Sequence, residues 1–192
     1  MKNRLIDKGT SQNAQSTEQT GTAALAALAI SGAAQAQQCS TKMLNGMYSV
    51  SFHGERLGLL TGSLPTLTPF ATPNLVDGIE VFTFDGEGTF TNLNFALRDG
   101  VPNSLGRPGL TPNGFTTQTG TYHVNDDCTG ADTMSQPGLS FTLALVVSDR
   151  GRKIRYVGTS THADTIPGNP NCTSGCYVAV EGAAEGEKVF GR

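Results

Sequence analysis

The feature that most constrains the fold of this chain is a series of eight short strand patterns, beginning near residue 46, whose connectors alternate between long and short. If successive strands run antiparallel, every second connector lies at the same end of the sheet. The long connectors are 55–77, 98–118 and 163–175, and the short ones are 85–88, 125–130 and 148–152. Only 135–138 is short where the alternation requires a long connector. The sequence therefore predicts an open end with long loops and a closed end with tight turns.

The clearest strand pattern covers residues 139–147, where large apolar residues occupy the odd positions and mostly small or polar residues the even ones. This period of two is typical of a strand with one buried face. Frequent Thr, Ser, Val, Phe and Gly, with few charged residues, is also typical of β proteins. Eight antiparallel strands joined by sequential hairpins can close into a barrel. We therefore predict an all-β fold, an eight-stranded antiparallel up-and-down barrel; an open two-sheet sandwich is the alternative.

The N-terminal segment has the pattern of a secretory signal. Residues 23–30 form a short apolar run, which is followed by small residues and by Ala34-Gln35-Ala36, an A-x-A cleavage site. The run is too short to span a bilayer as a helix. We predict that residues 1–36 are a signal peptide and that 37–192 form a single barrel domain, secreted or periplasmic, with no membrane-spanning segment after cleavage. The formal net charge is −3 without a basic cluster, so nucleic acid is not an expected partner.

Four cysteines in a secreted chain predict two disulfide bonds. Cys39 precedes the first strand and Cys128 lies in a tight turn, which puts both at the closed end. Cys172 and Cys176 lie in or beside the last long loop, at the open end. Because bonded cysteines need Cα atoms within roughly 7 Å, we predict the pairs Cys39–Cys128 and Cys172–Cys176. Free thiols and a CxxxC metal site are the alternatives, and neither is favoured in an oxidising compartment.

Strand parity indicates which side chains face the barrel interior. Glu80 shares a face with Phe82 and Phe84 near the predicted mouth, and His162 shares a face with Tyr156. The step from Phe90 to Leu93 breaks the alternation, so a β-bulge near Thr91-Asn92 would turn the later apolar residues of that strand inward. Aromatic walls with a few polar groups at the rim are typical of small-molecule sites. The predicted ligand-binding residues are Phe52, Glu80, Phe82, Phe95, Tyr156, His162 and Tyr177.

No catalytic or nucleotide-binding motif is present, so we predict no catalytic residue, no metal and no cofactor. The leading hypothesis is a barrel that binds a small apolar or amphipathic molecule at its open end. One alternative is a packed-core structural or interaction protein that uses loops 55–77 and 98–118. Another is an enzyme of the cyclase or isomerase type, with Glu80 and His162 as acid and base. The absence of motifs favours a binding protein over an enzyme.

Three segments of the chain carry a resemblance to a known group of proteins. Residues 44–50, 84–88 and 120–130 resemble a pattern found in small secreted bacterial proteins with lipocalin-like, calycin-type barrels. Gly46-Met47-Tyr48 stands where lipocalins have Gly-x-Trp, and this chain contains no tryptophan. The resemblance implies a lipocalin-like barrel in a bacterial secreted protein. Its motifs are mainly structural, and it implies no catalytic residue.

Overall fold

The structure is a computed structural model and describes residues 38–62, 65–102, 113–166 and 168–190; the predicted signal peptide lies outside the described residues. It contains two short 3₁₀ turns, Thr41–Met43 and Asp149–Gly151, and nine strands. The strands are β1 (Asn45–Thr61), β2 (Thr66–Asp85), β3 (Thr89–Arg98), β4 (Val101–Pro102), β5 (Thr116–Val124), β6 (Thr129–Gln136), β7 (Leu139–Ser148), β8 (Lys153–Ala163) and β9 (Cys176–Phe190). In these ranges, no helix has the length and apolar character needed to cross a bilayer.

All the long strands pair antiparallel with their neighbours in the chain, and β9 returns to pair with β1. Eight strands thus form a closed ring, and the two-residue β4 adds only a short extension beside β3. Closure leaves no open edge along the body of the sheet. The predicted all-β, eight-stranded up-and-down barrel is therefore confirmed, and the two-sheet sandwich is excluded.

The closed end is formed by tight turns, as the sequence predicts. In the turn after β2, the Asp85 carboxylate accepts backbone N–H bonds from Glu87, Gly88 and Thr89 at 2.7, 3.0 and 3.0 Å. These bonds, together with one from the Thr89 hydroxyl, lower the pKa of Asp85 to about 2. The carboxylate thus takes the place of missing backbone partners in the turn.

The chain segment before β1 covers the closed end from below. The disulfide Cys39–Cys128 joins this segment to the turn between β5 and β6, with Cα atoms 4.9 Å apart. Leu44 is completely buried, and its carbonyl accepts a 2.7 Å hydrogen bond from the Tyr122 hydroxyl inside the barrel. The hydroxyl of Tyr48 donates to the carbonyl of Gly151. The closed end is thus sealed by side chains and covalently held.

The first predicted loop, 55–77, is not a loop. β1 and β2 continue through most of it as two long paired strands, with β1 ending at Thr61 and β2 beginning at Thr66. β1 stays paired with β9 as far as Leu60, and Leu59 is buried beside Val178 and the second disulfide. Pairing and burial therefore override the local turn preference of a segment rich in Gly, Pro and Thr. The second predicted loop, 98–118, is shortened by β4 and by the start of β5.

The third long connector is present between β8 and β9 and carries the disulfide Cys172–Cys176, with Cα atoms 5.3 Å apart. Both predicted disulfides are therefore found. Cys172 and Cys176 are buried against Leu59 and Val178, and these residues form a small second core at the open end. One lip of the barrel is thus a packed structure and not a free loop.

β2 extends beyond the barrel on one side. It pairs with β3 only between Val76 and Phe84; of its earlier part, residues 66–69 and 74–75 pair with β1, and no strand of the described residues lies on the other edge. Pro69, which lies opposite Gly58 of β1, is in this half-paired part. Proline has no N–H to give to a neighbour and is found mainly on strand edges.

The main core fills the lower half of the barrel with aromatic rings. Phe82 stacks on Phe84 and on Tyr156 at centroid distances of 5.5 and 5.7 Å. Phe90 lies across Gly120 of the neighbouring strand, where a Cβ atom would come within 2.2 Å of the ring. The lower half is thus packed tightly enough that a single methyl group has no room.

We predict that Gly120→Ala destabilises the protein by about 2 kcal/mol, because Phe90 must leave its place in the aromatic cluster. Gly158→Ala is the matched control, since its Cβ would meet only Leu143, at 3.9 Å. We expect the control to change stability by less than about 1 kcal/mol. Denaturant unfolding measures both, and equal effects in the two variants would contradict this account.

Candidate functional site

The upper half of the barrel contains a cavity of about 170 Å³ between the aromatic core and the open end. Its walls are mostly apolar and come from all parts of the sheet. The main apolar side chains are Phe52, Val76, Ala96, Met134, Leu139, Phe141, Leu143, Val180 and Ala184. The barrel is therefore neither fully packed nor hollow throughout, because only the lower half is filled by side chains.

The floor of the cavity is polar. Glu80 from β2 is 7% exposed, and its carboxyl accepts a 2.5 Å hydrogen bond from the Asn94 amide of β3. Gln118 of β5 donates from its amide to Gln136 of β6 at 3.0 Å. Tyr156 of β8 completes the floor with a buried hydroxyl that has no hydrogen-bond partner among the described residues. Glu80 thus has a hydrogen-bond partner, Gln118 has one for its nitrogen but not for its oxygen, and the Tyr156 hydroxyl has none among the described residues.

A second carboxyl lies just beneath this floor. Asp132 of β6 is 1% exposed, and neither of its oxygens has a hydrogen-bond partner among the described residues. The side-chain amide of Asn92 is buried in the same layer. It lowers the pKa of Glu80, but among the described residues it is outside the distance and angle limits of a hydrogen bond. A polar layer therefore separates the apolar cavity above from the aromatic core below.

Burial controls the protonation of both carboxyls. Loss of water raises the pKa of Glu80 to about 7, although the amides of Asn94 and Asn92 oppose this rise. Burial, and then the negative charge of Glu80, raise the pKa of Asp132 to about 8. The pKa of Tyr156 is raised well above 10 by burial and by both carboxyls. Near neutral pH the polar layer is therefore poised between a neutral and a negatively charged state.

The mouth of the cavity carries the opposite charge. Arg56 of β1 and Arg98 of β3 line its upper part, and the Arg56 guanidinium lies 6.0 Å from the ring centre of Phe70. In the strand register, Glu80 pairs with Asn94, and Arg98 is four residues further along β3. At about 3.4 Å per residue, the Cα atoms of Asn94 and Arg98 are about 14 Å apart. The cavity is thus acidic at its floor and basic at its rim.

The predicted inward position of Phe95 is wrong. β3 pairs with β2 in unbroken register from Phe90 to Arg98, so the bulge expected near Thr91-Asn92 is absent. Phe95 therefore points outward, where it packs on Phe115 with ring centroids 5.5 Å apart. The segment before β5 covers this outer apolar face, which explains how an apolar residue can lie on the outside.

His162 is also outside the cavity, because β8 contains a bulge that the sequence analysis did not predict. Thr142 pairs with Ser160 and Leu143 with Gly158, so Thr159 is an extra residue. The bulge reverses the parity of the strand, and the next inward residue is Thr161 rather than His162. The acid–base pair of Glu80 and His162 is therefore not formed.

The remaining predicted residues divide between the cavity, the core and the outer surface. Phe52 and Tyr156 line the cavity together with Glu80, whereas Phe82 is fully buried in the aromatic core below it. Tyr177 is 54% exposed and lies outside the barrel, edge-on to His162 at a centroid distance of 5.2 Å. The structure thus brings three of the seven candidates to one cavity.

Four polar residues of this layer are not among the candidates predicted from the sequence: Asn92, Asn94, Gln118 and Asp132. A signal for Asp132 was available, because it shares strand parity with Met134, an inward apolar residue. Similarly, an unbroken parity from Phe90 puts both asparagines inside. Among the described residues, no cluster of three His, Cys, Asp or Glu side chains could hold a metal ion.

We predict that the free energy of unfolding falls as pH rises from 5 to 8. In this range the unfolded chain has released the protons of Glu80 and Asp132, whereas the folded protein still holds them, so rising pH favours unfolding. The slope is at most about 1.4 kcal/mol per pH unit for each carboxyl. Denaturant unfolding at several pH values measures it, and Asp132→Asn should reduce it.

Asp85→Asn is the control for this pH dependence. The pKa of Asp85 is lowered and not raised, so its stabilising effect is complete above about pH 4 and is lost only as pH falls towards 2. The variant should therefore lose stability equally at pH 5 and pH 8. A wild-type protein with no slope between these pH values would contradict the buried acidic layer.

No protein-family model matches the chain, and no curated protein sequence matches it. Among solved structures, the barrel is similar to the S-type phycobiliprotein lyase from Guillardia theta, with a TM-score of 0.43 and 5% sequence identity. The similarity covers 82% of this chain and 97% of the lyase chain.

Proposed function

We propose that this protein is a secreted or periplasmic β-barrel that binds one small amphipathic molecule in its cavity, through the open end. The observation that carries this proposal is an apolar cavity with a buried polar floor. Small-molecule sites are typically concave and mostly apolar, with a few polar groups that orient the ligand. In this site Glu80, Gln118 and Tyr156 are the orienting groups.

The size of the cavity limits the ligand. A volume of about 170 Å³ is close to that of the ~150 Å³ apolar cavities known to hold benzene. It is smaller than the roughly 300 Å³ at which pockets for drug-sized ligands begin. The preferred ligand is therefore a molecule with one ring, or one ring-sized apolar group of a larger molecule that extends past the mouth.

Binding should be detectable with benzyl alcohol, which has one ring and one polar group. We expect saturable binding with a dissociation constant on the order of 1 mM or tighter, measured by ligand-observed NMR. Gly158→Val should weaken binding at least tenfold, because the new side chain would occupy part of the cavity; among the described residues, only Leu143 lies within 4 Å of the added Cβ atom.

Val157→Thr is the control, since Val157 is exposed on the outer face of the same strand. This variant should bind benzyl alcohol as the wild type does. Equal binding by wild type and Gly158→Val would mean that the ligand is held elsewhere, and absence of binding to any one-ring compound would remove the proposal.

The location is proposed from two independent features. The apolar run and the A-x-A site of the first 36 residues have the pattern of an export signal. Both disulfides fit an oxidising compartment. We expect that the chain expressed with its own N-terminus in a bacterium is exported, and that mass spectrometry finds a mature chain beginning at Gln37. An unprocessed chain in the cytoplasm, with free thiols, would contradict this location.

A second candidate is an enzyme that transfers protons, which the position and pKa of Glu80 favour. A carboxyl with a pKa of about 7 that faces an enclosed cavity can act as a general acid or base. If it does, the protein should accelerate deuterium exchange at the carbon next to the carbonyl of cyclohexanone, followed by NMR in D₂O. Glu80→Gln should abolish this exchange and Glu181→Gln, on an exposed residue of β9, should not.

A further inference from the structure

Buried acceptor oxygens in and below the floor of the cavity receive no hydrogen bond from the described residues. Gln118 is 4% exposed; its amide nitrogen donates to Gln136, and its carbonyl oxygen has no hydrogen-bond partner in the described part of the chain. The two oxygens of Asp132, one layer below, also accept no hydrogen bond there. Buried polar atoms of this kind normally have partners, so each calls for an explanation.

Positive charge is missing from the same layer. No basic side chain in the described ranges lowers the pKa of Glu80 or Asp132. Arg56 and Arg98 line the upper part of the cavity, and the Arg98 backbone lies about 14 Å along β3 from that of Asn94, the partner of Glu80. A buried carboxylate is normally paired with a cation or stays protonated. The floor thus offers two acids and a free carbonyl oxygen, but no cation to meet them.

We propose that the ligand is a small primary amine with one ring, and that its ammonium group binds on the floor between Glu80, Gln118 and Tyr156. This inference rests on the proposed ligand-binding function and specifies the class of ligand. An ammonium group has three N–H donors and a full positive charge. An alcohol of the same size provides one donor and no charge, and a carboxylate would meet like charge.

The apolar part of the amine would occupy the walls above the floor. Phe141, Leu143 and Met134 line this part of the cavity. A single ring matches a volume of about 170 Å³, and one methylene group between ring and nitrogen lets the ammonium reach the polar layer. Benzylamine has this structure and is the probe of choice.

Binding of the amine should release protons, because a cation on the floor favours the ionised form of Glu80 and Asp132. The titratable group that interacts with both carboxyls is Tyr156 from β8, and Tyr156 in turn interacts with Tyr48 from β1 and Tyr122 from β5. The pKa values of Tyr48 and Tyr122 are raised to about 12, and that of Tyr156 is raised well above 10, so all three stay neutral between pH 6 and 8. The affinity for benzylamine should therefore rise with pH between 6 and 8.

The test is isothermal titration of the purified mature protein with benzylamine, benzyl alcohol, toluene and benzoate at pH 6, 7 and 8. We expect benzylamine to bind at least tenfold more tightly than benzyl alcohol at pH 8, and benzoate not to bind. The affinity for benzylamine should increase at least threefold from pH 6 to pH 8. Titrations in two buffers of different ionisation enthalpy should report proton release.

Glu80→Gln and Asp132→Asn separate the charge of the floor from the shape of the cavity. Each should weaken benzylamine binding at least tenfold and change toluene binding less than twofold. Asp77→Asn, which removes an exposed acid outside the barrel, should change neither.

The outcomes distinguish this inference from the function on which it rests. Binding of toluene or benzyl alcohol, with benzylamine equal or weaker and no increase with pH, would overturn the amine assignment and leave the ligand-binding function standing. Failure of all four compounds to bind would overturn both.

Discussion

The packing of aromatic rings in the lower half of the barrel determines what the rest of the molecule can do. Phe82, Phe84 and Tyr156 stack in one layer, and the hydroxyls of Tyr48 and Tyr122 tie the cluster to the backbone of the closed end. Below the polar layer, the described part of the barrel is filled by these buried side chains. The space that remains is shallow, and any bound molecule must be small and must enter from above.

The polar layer directly above this core works against the stability of the fold. Two carboxyls are buried side by side without a cation, at a position where apolar side chains would complete the packing. Buried ionisable groups without partners destabilise a folded protein, and such departures from good packing are typical of functional sites. The aromatic core beneath and the disulfide at the closed end can offset the cost. Stability and function are thus concentrated in different halves of one barrel.

The sequence is sufficient to predict the barrel, its closed end and both disulfides, because each depends on strand alternation and turn spacing. It is not sufficient to predict the cavity, because a single extra residue decides which way a strand faces. Thr159 has no mark in the sequence that identifies it as a bulge, yet it moves His162 outside. In β3 the opposite error occurs, since outward apolar residues suggested a bulge that does not exist. The long hairpin was missed because pairing with β9 outweighs local turn preference.

The half-paired part of β2 has a consequence for how copies of this protein meet one another. A strand that projects from a barrel with one bare edge is a ready template for a strand of a second molecule, and repeated addition leads to aggregation. Pro69 lies in this part of the strand, and its nitrogen carries no hydrogen to donate to another strand. The proline therefore reduces the number of backbone N–H donors that the projecting part of β2 can offer to a second copy of the protein.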